Sequence, residues 1–145
     1  MASLPPTSRH PTPLVLIVDD VEDTRLIYAV FLKRRGFDVS VAGTAKAALG
    51  IVAERRPDVI VMDFSMPGTD GLAATRQLAS DPTTAHIPVI LLTGHVEMIS
   101  TDAVKAAGAR RLIIKPCLPE ILEAEITRLL EGDMEFRRLR GAPPE

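Results

Sequence analysis

Short uninterrupted apolar runs recur along this chain and alternate with segments of helical periodicity. Four of these runs, at 14–18, 59–62, 89–92 and 112–114, end directly before a polar side chain. Such runs are typical of strands in a parallel sheet, because helices cover that kind of sheet on both faces. A further short strand is predicted at Phe37–Val41. The pattern therefore predicts an α/β layer fold with buried parallel strands.

Two of the predicted helices carry apolar stripes that indicate a buried face. The first helix covers Thr24–Arg35 and stops at Gly36, a residue type that commonly follows a helix C-terminus. The residues expected on its buried face are Leu26, Ile27, Val30 and Phe31. The last helix starts near Leu118, with Pro119 in its first turn. Its expected buried residues are Leu118, Ile121, Leu122, Ile126 and Leu129.

Three further helices complete the alternation of strands and helices. One follows Thr44, whose hydroxyl suits a helix N-cap, and another covers about Asp70–Ser80 after a turn at 66–68. A shorter, alanine-rich helix is predicted over Ser100–Ala107 and ends at Gly108. The prediction is thus five strands and five helices in strict alternation.

Composition narrows the class of protein. A chain of 145 residues, with 46% hydrophobic and 25% charged residues, is typical of one soluble globular domain. The net charge of −2 gives no electrostatic reason to expect nucleic-acid binding. A single cysteine, Cys117, excludes an internal disulfide. No apolar stretch approaches the roughly 20 residues of a membrane span, and no apolar signal core precedes Leu14. We therefore expect a cytoplasmic protein that does not enter a membrane.

Proline-rich ends delimit the predicted domain. Residues 1–13 are expected to form a disordered leader, residues 14–131 the folded domain, and residues 132–145 a helix extension with a frayed tail. The residues after Leu130 are too few for a helix-turn-helix module, so no DNA-binding domain is expected. The starting Met1 favours a complete, stand-alone protein, although a domain excised from a larger regulator stays possible.

Chemically reactive side chains follow the strands. Asp19 and Asp20 come after the first apolar run, and Asp63, Thr93 and Lys115 each come directly after a later one. The carboxyl ends of parallel strands meet at one edge of the sheet, where open α/β sheets bind their ligands. The sequence therefore predicts a site made of three carboxylates, a hydroxyl and an ammonium.

Oxygen ligands without histidine or cysteine indicate a hard cation, and Mg²⁺ fits better than zinc or calcium. A carboxylate beside Mg²⁺ can attack phosphorus, while Lys115 and Thr93 hold the phosphoryl oxygens. Simpler interpretations stay open for each part. Asp20 and Asp23 would serve as helix caps, Lys115 as a surface lysine, and Thr93–Gly94 as a turn that ends a strand.

Taken together, these motifs resemble the receiver domain of response regulators, the CheY-like phosphoacceptor module of two-component signalling. The resemblance runs from about Leu14 to Leu130. It rests on Asp19-Asp20, on the segment MDFSMPGTDG at 62–71, on Thr93-Gly94 and on Lys115-Pro116. It implies a flavodoxin-like (βα)5 doubly wound sandwich, whose five-stranded parallel sheet has the order 2-1-3-4-5.

The resemblance also implies roles for the acidic residues. Asp63 accepts a phosphoryl group from a histidine kinase or a histidine phosphotransfer protein. Asp20 and Asp63 bind Mg²⁺ directly and Asp19 largely through water, while the main-chain carbonyl of Ser65 adds a ligand. Ser65 and His95 flank the site and tune the loss of the phosphoryl group.

Other residues are assigned to phosphoryl binding and switching by the same resemblance. Thr93 moves toward the phosphoryl oxygens, Lys115 pairs with them, and the Lys115–Pro116 bond is expected to be cis. Three residues depart from the family pattern: Gly94 where alanine is common, Leu112 where an aromatic is common, and Cys117 where phenylalanine is common.

These departures concern how a signal leaves the domain. Because Leu112 has no ring to reorient, the signal is expected to pass mainly through the Thr93–Ser100 loop and the Ser100–Ala107 helix. The face formed by that helix, the fifth strand and the last helix is the candidate surface for an unknown downstream partner or a homodimer.

Two other functions compete with this interpretation. A phosphatase of the haloacid dehalogenase type also uses a strand-end aspartate with Mg²⁺, but it needs a second aspartate where this chain has Ser65. The acyl phosphate is therefore expected to persist, and the protein is expected not to be an enzyme beyond its own phosphoryl uptake and slow loss. The alternative is a pseudo-receiver that binds partners without phosphorylation.

Overall fold

The computed structural model describes residues 11–64, 71–94 and 100–140, with the main chain alone for 133–140. These ranges hold five strands and five helices in alternation. The strands are β1 Leu14–Val18, β2 Asp38–Ala42, β3 Val59–Asp63, β4 Val89–Thr93 and β5 Arg111–Ile114. The helices are α1 Glu22–Arg34, α2 Ala45–Arg55, α3 Gly71–Ser80, α4 Thr101–Ala107 and α5 Pro119–Arg140.

All strands pair in parallel, in the order β2-β1-β3-β4-β5. The predicted doubly wound α/β fold and its strand order are confirmed. Because the order reverses between β1 and β3, the carboxyl ends of these two strands border the crevice at which open sheets bind ligands.

Alternate residues of the central strands face two separate cores, as the pleat of a strand requires. One core lies on the side of α2, α3 and α4, and includes Leu16, Ile60, Met62 and Leu91. The other lies on the side of α1 and α5, and includes Ile17, Val61, Leu92 and Ile126. This two-sided burial explains why β1, β3 and β4 are continuous apolar runs in the sequence.

The buried face predicted for the first helix is wrong. Tyr28, Ala29 and Leu32 face the core, whereas Leu26 is 60% exposed and Ile27 57% exposed. Val30 is exposed as well, and Phe31 is partly buried. The helix is apolar around much of its circumference, so helical spacing fits two faces, and packing against the sheet selects the other one.

Two further burial predictions need correction. In the last helix Leu122, Ile126 and Leu129 are buried as expected, but Leu118 precedes the helix and is 64% exposed, and Ile121 is 52% exposed. The fifth strand was expected to be buried, yet both of its ends are exposed. It lies at the edge of the sheet, where only one neighbouring strand covers it.

The expected helix ends are otherwise present. The hydroxyl of Thr44 accepts a hydrogen bond from Ala47 N (3.1 Å), and that of Ser100 accepts one from Ala103 N (3.2 Å). Gly36 and Gly108 follow α1 and α4 with φ of 96° and 98°, which favour glycine. Residues 1–10 of the predicted 1–13 leader, the predicted turn at 66–68, and residues 141–145 of the predicted 132–145 extension and tail lie outside the described residues. Within the described part of the chain, no helix has both the length and the apolarity to cross a membrane.

Candidate functional site

The acidic pair sits where the backbone turns out of β1. Asp19 still pairs with the sheet, because its N–H donates to Ala42 O at 3.1 Å. The residue is 2% exposed, and its Oδ1 accepts a hydrogen bond from Val21 N at 2.9 Å. Asp20 is exposed at the rim. The turn lets neighbouring carboxylates, which would point apart in a regular strand, lie on the same side.

The third carboxylate belongs to Asp63, the last residue of β3, whose side chain is 7% exposed. Asp19, Asp20 and Asp63 each present a carboxylate oxygen, and these oxygens lie within 4.8 Å of one another. The interpretation of Asp20 as a helix cap does not hold, since α1 has Val21 at its N-cap without a side-chain cap hydrogen bond. The cluster could hold a metal ion.

Lys115 closes this cluster from the end of β5. Its Nζ lies 3.3 Å from Asp19 Oδ2 and 3.3 Å from Asp63 Oδ1. Burial by itself would lower the pKa of Lys115, but the charges and hydrogen bonds of Asp19 and Asp63 outweigh burial and raise the pKa above its usual value. Three carboxylates and one ammonium leave two formal negative charges, which match a divalent cation.

A main-chain hydrogen bond fixes the position of Lys115 relative to Thr93. Lys115 N donates to Thr93 O at 2.7 Å, and Thr93, the last residue of β4, is 1% exposed. The Lys115–Pro116 bond is cis, as the resemblance implied. Gly94 is exposed, and a Cβ there would meet no atom within 4 Å, so space does not demand glycine. Thr93 and Lys115 thus stand on adjacent strand ends beside the carboxylates.

Two predicted site residues, Ser65 and His95, lie outside the described residues. The two remaining departures from the family pattern are described. Leu112 is partly buried and packs against the core on the α4 side, while Cys117 packs against the core on the α1 side. Burial, followed by the charge of Glu125, raises the pKa of the Cys117 thiol, which disfavours a reactive thiolate.

Arg25 in α1 is a site neighbour that sequence reasoning missed. Its Nη1 donates to the main-chain carbonyl of Asp19 at 2.7 Å, so the helix holds the turn that carries the acidic pair. The guanidinium crosses Gly43, where a Cβ would come within 3.0 Å of Nη1. The spacing of motifs in the sequence does not predict this contact, because the contact depends on the fold bringing the loops after β1 and β2 together.

Tyr28, also missed, links α1 to the loop after β5. Its hydroxyl donates to Cys117 O at 2.7 Å, and the residue is 6% exposed. Burial, with smaller effects from the charges of Cys117 and Asp19, raises the pKa of Tyr28 to about 12. The folded protein therefore favours the neutral phenol, and this contribution to stability is complete below pH 10 and lost as pH rises toward 12.

This shift can be measured directly, since the chain has one tyrosine and no tryptophan. We expect phenolate absorbance at 295 nm to appear near pH 12 in the folded protein and near pH 10 after unfolding in guanidinium. Circular dichroism on the same samples reports whether the fold persists. A folded protein that titrates near pH 10 would contradict the buried, hydrogen-bonded hydroxyl.

Comparisons with known proteins agree with this geometry. The model of the response regulator receiver domain matches residues 15–127. PilH of Pseudomonas aeruginosa is 37% identical over 120 residues, covering 81% of this chain and 98% of PilH. PhoB, the phosphate regulon transcriptional regulatory protein of the same organism, is 34% identical over 125 residues, covering 83% of this chain but only 55% of PhoB. The chain thus spans about half of PhoB. The chemotaxis response regulator CheY4 of Vibrio cholerae superposes with a TM-score of 0.76 at 28% identity, covering 81% of this chain and 98% of CheY4.

Proposed function

Because the chain belongs to the response regulator receiver family, we propose that it is the phosphoacceptor of a two-component phosphorelay and that Asp63 is its phosphorylation site. One observation carries the proposal. The Asp63 carboxylate lies in an acidic cluster and 3.3 Å from the Lys115 ammonium. A nucleophile, a metal-binding group and a cation for the phosphoryl oxygens therefore stand together.

In the proposed transfer, a carboxylate oxygen of Asp63 forms a bond to the phosphorus of a phosphohistidine. The bond from phosphorus to the imidazole nitrogen breaks, and its electron pair stays on the nitrogen. The phosphohistidine belongs to a histidine kinase or a histidine phosphotransfer protein. The Lys115 ammonium pairs with the phosphoryl oxygens, and the hydroxyl of Thr93, on the adjacent strand end, turns toward them.

The carboxylates fit a hard divalent cation in ligand type and in charge. We assign Mg²⁺ to Asp20 and Asp63 directly, to Asp19 through water, and to the main-chain carbonyl of Ser65. When bound, Mg²⁺ would neutralise charge on the incoming phosphoryl group. Asp19 and Asp63 would then contact both Mg²⁺, with Asp19 doing so through water, and the Lys115 ammonium.

The test combines a small phosphodonor with metal removal. The wild-type protein with Mg²⁺ and acetyl phosphate should gain one phosphoryl group by intact mass, and EDTA should prevent the gain. Mg²⁺ should also raise the melting temperature of the wild-type protein but not that of Asp20→Ala, because binding to the folded state stabilises it. A folded wild-type protein that is not phosphorylated in Mg²⁺ would favour the pseudo-receiver instead.

We further propose that the protein is not an enzyme toward other substrates. It takes up its own phosphoryl group and loses it slowly. In sequence, Ser65 stands where a phosphatase of the haloacid dehalogenase type has its acid, so no second carboxylate assists the attack of water there. Ser65 and His95 are proposed to tune the rate of this loss. We also propose that the protein is located in the cytoplasm.

The exposed apolar side of α1 is proposed to receive the phosphodonor protein. Val21 directly follows the rim residue Asp20, and the helix then presents Leu26 and Ile27, each more than half exposed. A donor histidine must come within bonding distance of Asp63, and so its protein must rest near this rim. Apolar side chains that lie side by side on a surface commonly mark such contacts.

Ile27→Glu should therefore slow phosphorylation by the cognate donor protein at least about tenfold, since it places a charge in an apolar contact. Phosphorylation by acetyl phosphate should be unchanged, because that donor needs no docking surface. Ala73→Glu, an exposed change on α3, is the matched control. Equal rates for Ile27→Glu and the wild-type protein with the donor protein would move the docking surface elsewhere.

The downstream partner, or a second copy of the chain, is proposed to bind the face of α4, β5 and α5. Ile114 and Ile121 are each 52% exposed there, which gives an apolar contact area beside the switch residues. Beryllofluoride should change amide exchange across 94–107 if the signal passes through that loop and α4. Changes confined to the acidic residues would show another route.

No nucleic-acid contact is proposed for the described residues. PhoB is named as a transcriptional regulatory protein, but that name applies to the whole of PhoB, and this chain spans only 55% of it.

A further inference from the structure

The hydroxyl of Tyr28 connects two parts of the chain that are distant in sequence. It donates to the main-chain carbonyl of Cys117 at 2.7 Å, across 89 sequence positions. The ring is buried in the core between the sheet, α1 and α5, and Cys117 packs against the same core. The bond therefore joins a fixed helix to the loop that carries Lys115.

That loop is held at both ends by main-chain hydrogen bonds. At its start, Lys115 N donates to Thr93 O at 2.7 Å, and at its end Leu118 O accepts from Ile121 N and Leu122 N. Pro116, which lies between them, has no N–H to donate. The Tyr28 hydroxyl supplies an anchor in the middle, two residues after the lysine.

We propose that Tyr28 is a positioning residue for Lys115: its hydroxyl fixes the 115–118 loop so that the ammonium lies between Asp19 and Asp63. The inference rests on the proposed function, because it concerns the lysine that would pair with the phosphoryl group. Tyr28 acts through the loop, and its hydroxyl bonds to Cys117 rather than to the carboxylates.

The lysine depends on such support because of its own flexibility. Its four-carbon stem is flexible and its side chain is 31% exposed, so packing by itself does not hold the side chain in one rotamer. The ammonium is nonetheless 3.3 Å from each of two separate carboxylates, and a fixed main chain reduces the number of conformers in which the stem misses one of them. Small displacements of a positioned group reduce rates strongly.

Tyr28→Phe removes the hydroxyl and keeps the ring in the core. The chain offers a matched control in Thr84→Val. Thr84 is also 6% exposed, and its hydroxyl also donates to a main-chain carbonyl, that of Leu78, at 2.7 Å. Thr84 precedes β4 and therefore lies near the amino ends of the strands, whereas the site lies at their carboxyl ends. Both variants lose a 2.7 Å hydrogen bond from a hydroxyl to a main-chain carbonyl, and Thr84→Val also loses a longer contact of 3.4 Å to Asp81 O.

We expect both variants to unfold at similarly lower urea concentrations. Only Tyr28→Phe should slow phosphorylation by acetyl phosphate, by about fivefold, the equivalent of one hydrogen bond's net contribution. The dissociation constant for Mg²⁺, measured by calorimetry, should not rise above the wild-type value, because Lys115 is not a proposed metal ligand and its ammonium repels the cation from the carboxylates that they share. A general loosening of the pocket would instead weaken metal binding and phosphorylation together.

A double-mutant cycle with Lys115→Ala then tests the route of the effect. If Tyr28 acts through Lys115, adding Tyr28→Phe to Lys115→Ala should not lower the phosphorylation rate further. An equal decrease in both backgrounds, a wild-type rate for Tyr28→Phe, or a parallel loss of Mg²⁺ affinity would each overturn the inference. A wild-type protein that takes up no phosphoryl group would overturn the proposed function itself, which separates the two failures.

Discussion

Replacing Asp63 with Asn is expected to abolish phosphoryl uptake. The carboxamide has nearly the same shape but offers phosphorus no anionic oxygen, and so the acyl phosphate does not form. Intact mass after incubation with Mg²⁺ and acetyl phosphate measures the loss directly.

Asp38→Asn provides the matched control for this substitution. Asp38 is the first residue of β2, at the end of the strand away from the site, and pairs with Arg55 at 3.2 Å. Its variant should gain one phosphoryl group as the wild-type protein does. Phosphorylation that survives in Asp63→Asn would transfer the acceptor role to Asp19 or Asp20.

Gly71→Ala is expected to destabilise the fold and to slow phosphorylation. A Cβ at Gly71 would lie 2.1 Å from the main-chain oxygen of Asp63 and 2.9 Å from Met62 Cγ. The start of α3 is held close, because Gly71 N donates to Phe64 O at 2.8 Å and the buried Thr75 hydroxyl donates to Gly71 O at 2.7 Å. Either α3 or β3 must shift, at a cost of about 1–3 kcal/mol in unfolding free energy.

Gly50→Ala in α2 should have the opposite sign. A Cβ at Gly50 would meet no atom within 4 Å, and alanine favours a helix over glycine by about 0.5–1 kcal/mol. Urea unfolding of the two variants therefore gives a contrast between two helical glycines. Equal stability changes for the two variants would mean that α3 does not press against Asp63.

Much of the fold could be predicted because strands buried on both faces need continuous apolar runs. The runs ending before Asp19, Asp63 and Thr93 are central strands, and they are buried throughout. The run ending at Lys115 is the edge strand, and its exposure depends on a strand order that apolar runs do not encode. Run length therefore predicted which segments are strands but not how far each is covered.

The faces of the amphipathic helices were predicted less well. In α1, Leu26 and Ile27 fit helical spacing as well as Tyr28 and Leu32 do, but only the second pair meets the sheet. Periodicity reports the angles between side chains around a helix axis and not the direction of the sheet. A helix that is apolar on two sides therefore leaves the choice of face to packing.

For the site, the sequence by itself determined which chemical groups gather, because strand ends in a parallel sheet share one edge. It thereby predicted that Asp19, Asp20 and Asp63 would lie together with Lys115. Only the tertiary structure decided what holds them: Arg25 on the carbonyl of Asp19, Tyr28 on that of Cys117, and Gly71 against that of Asp63. Each of these contacts ends on a main-chain carbonyl, a group that every residue possesses. Side-chain types in the sequence could not reveal them, since the contacts exist only once the loops are brought together.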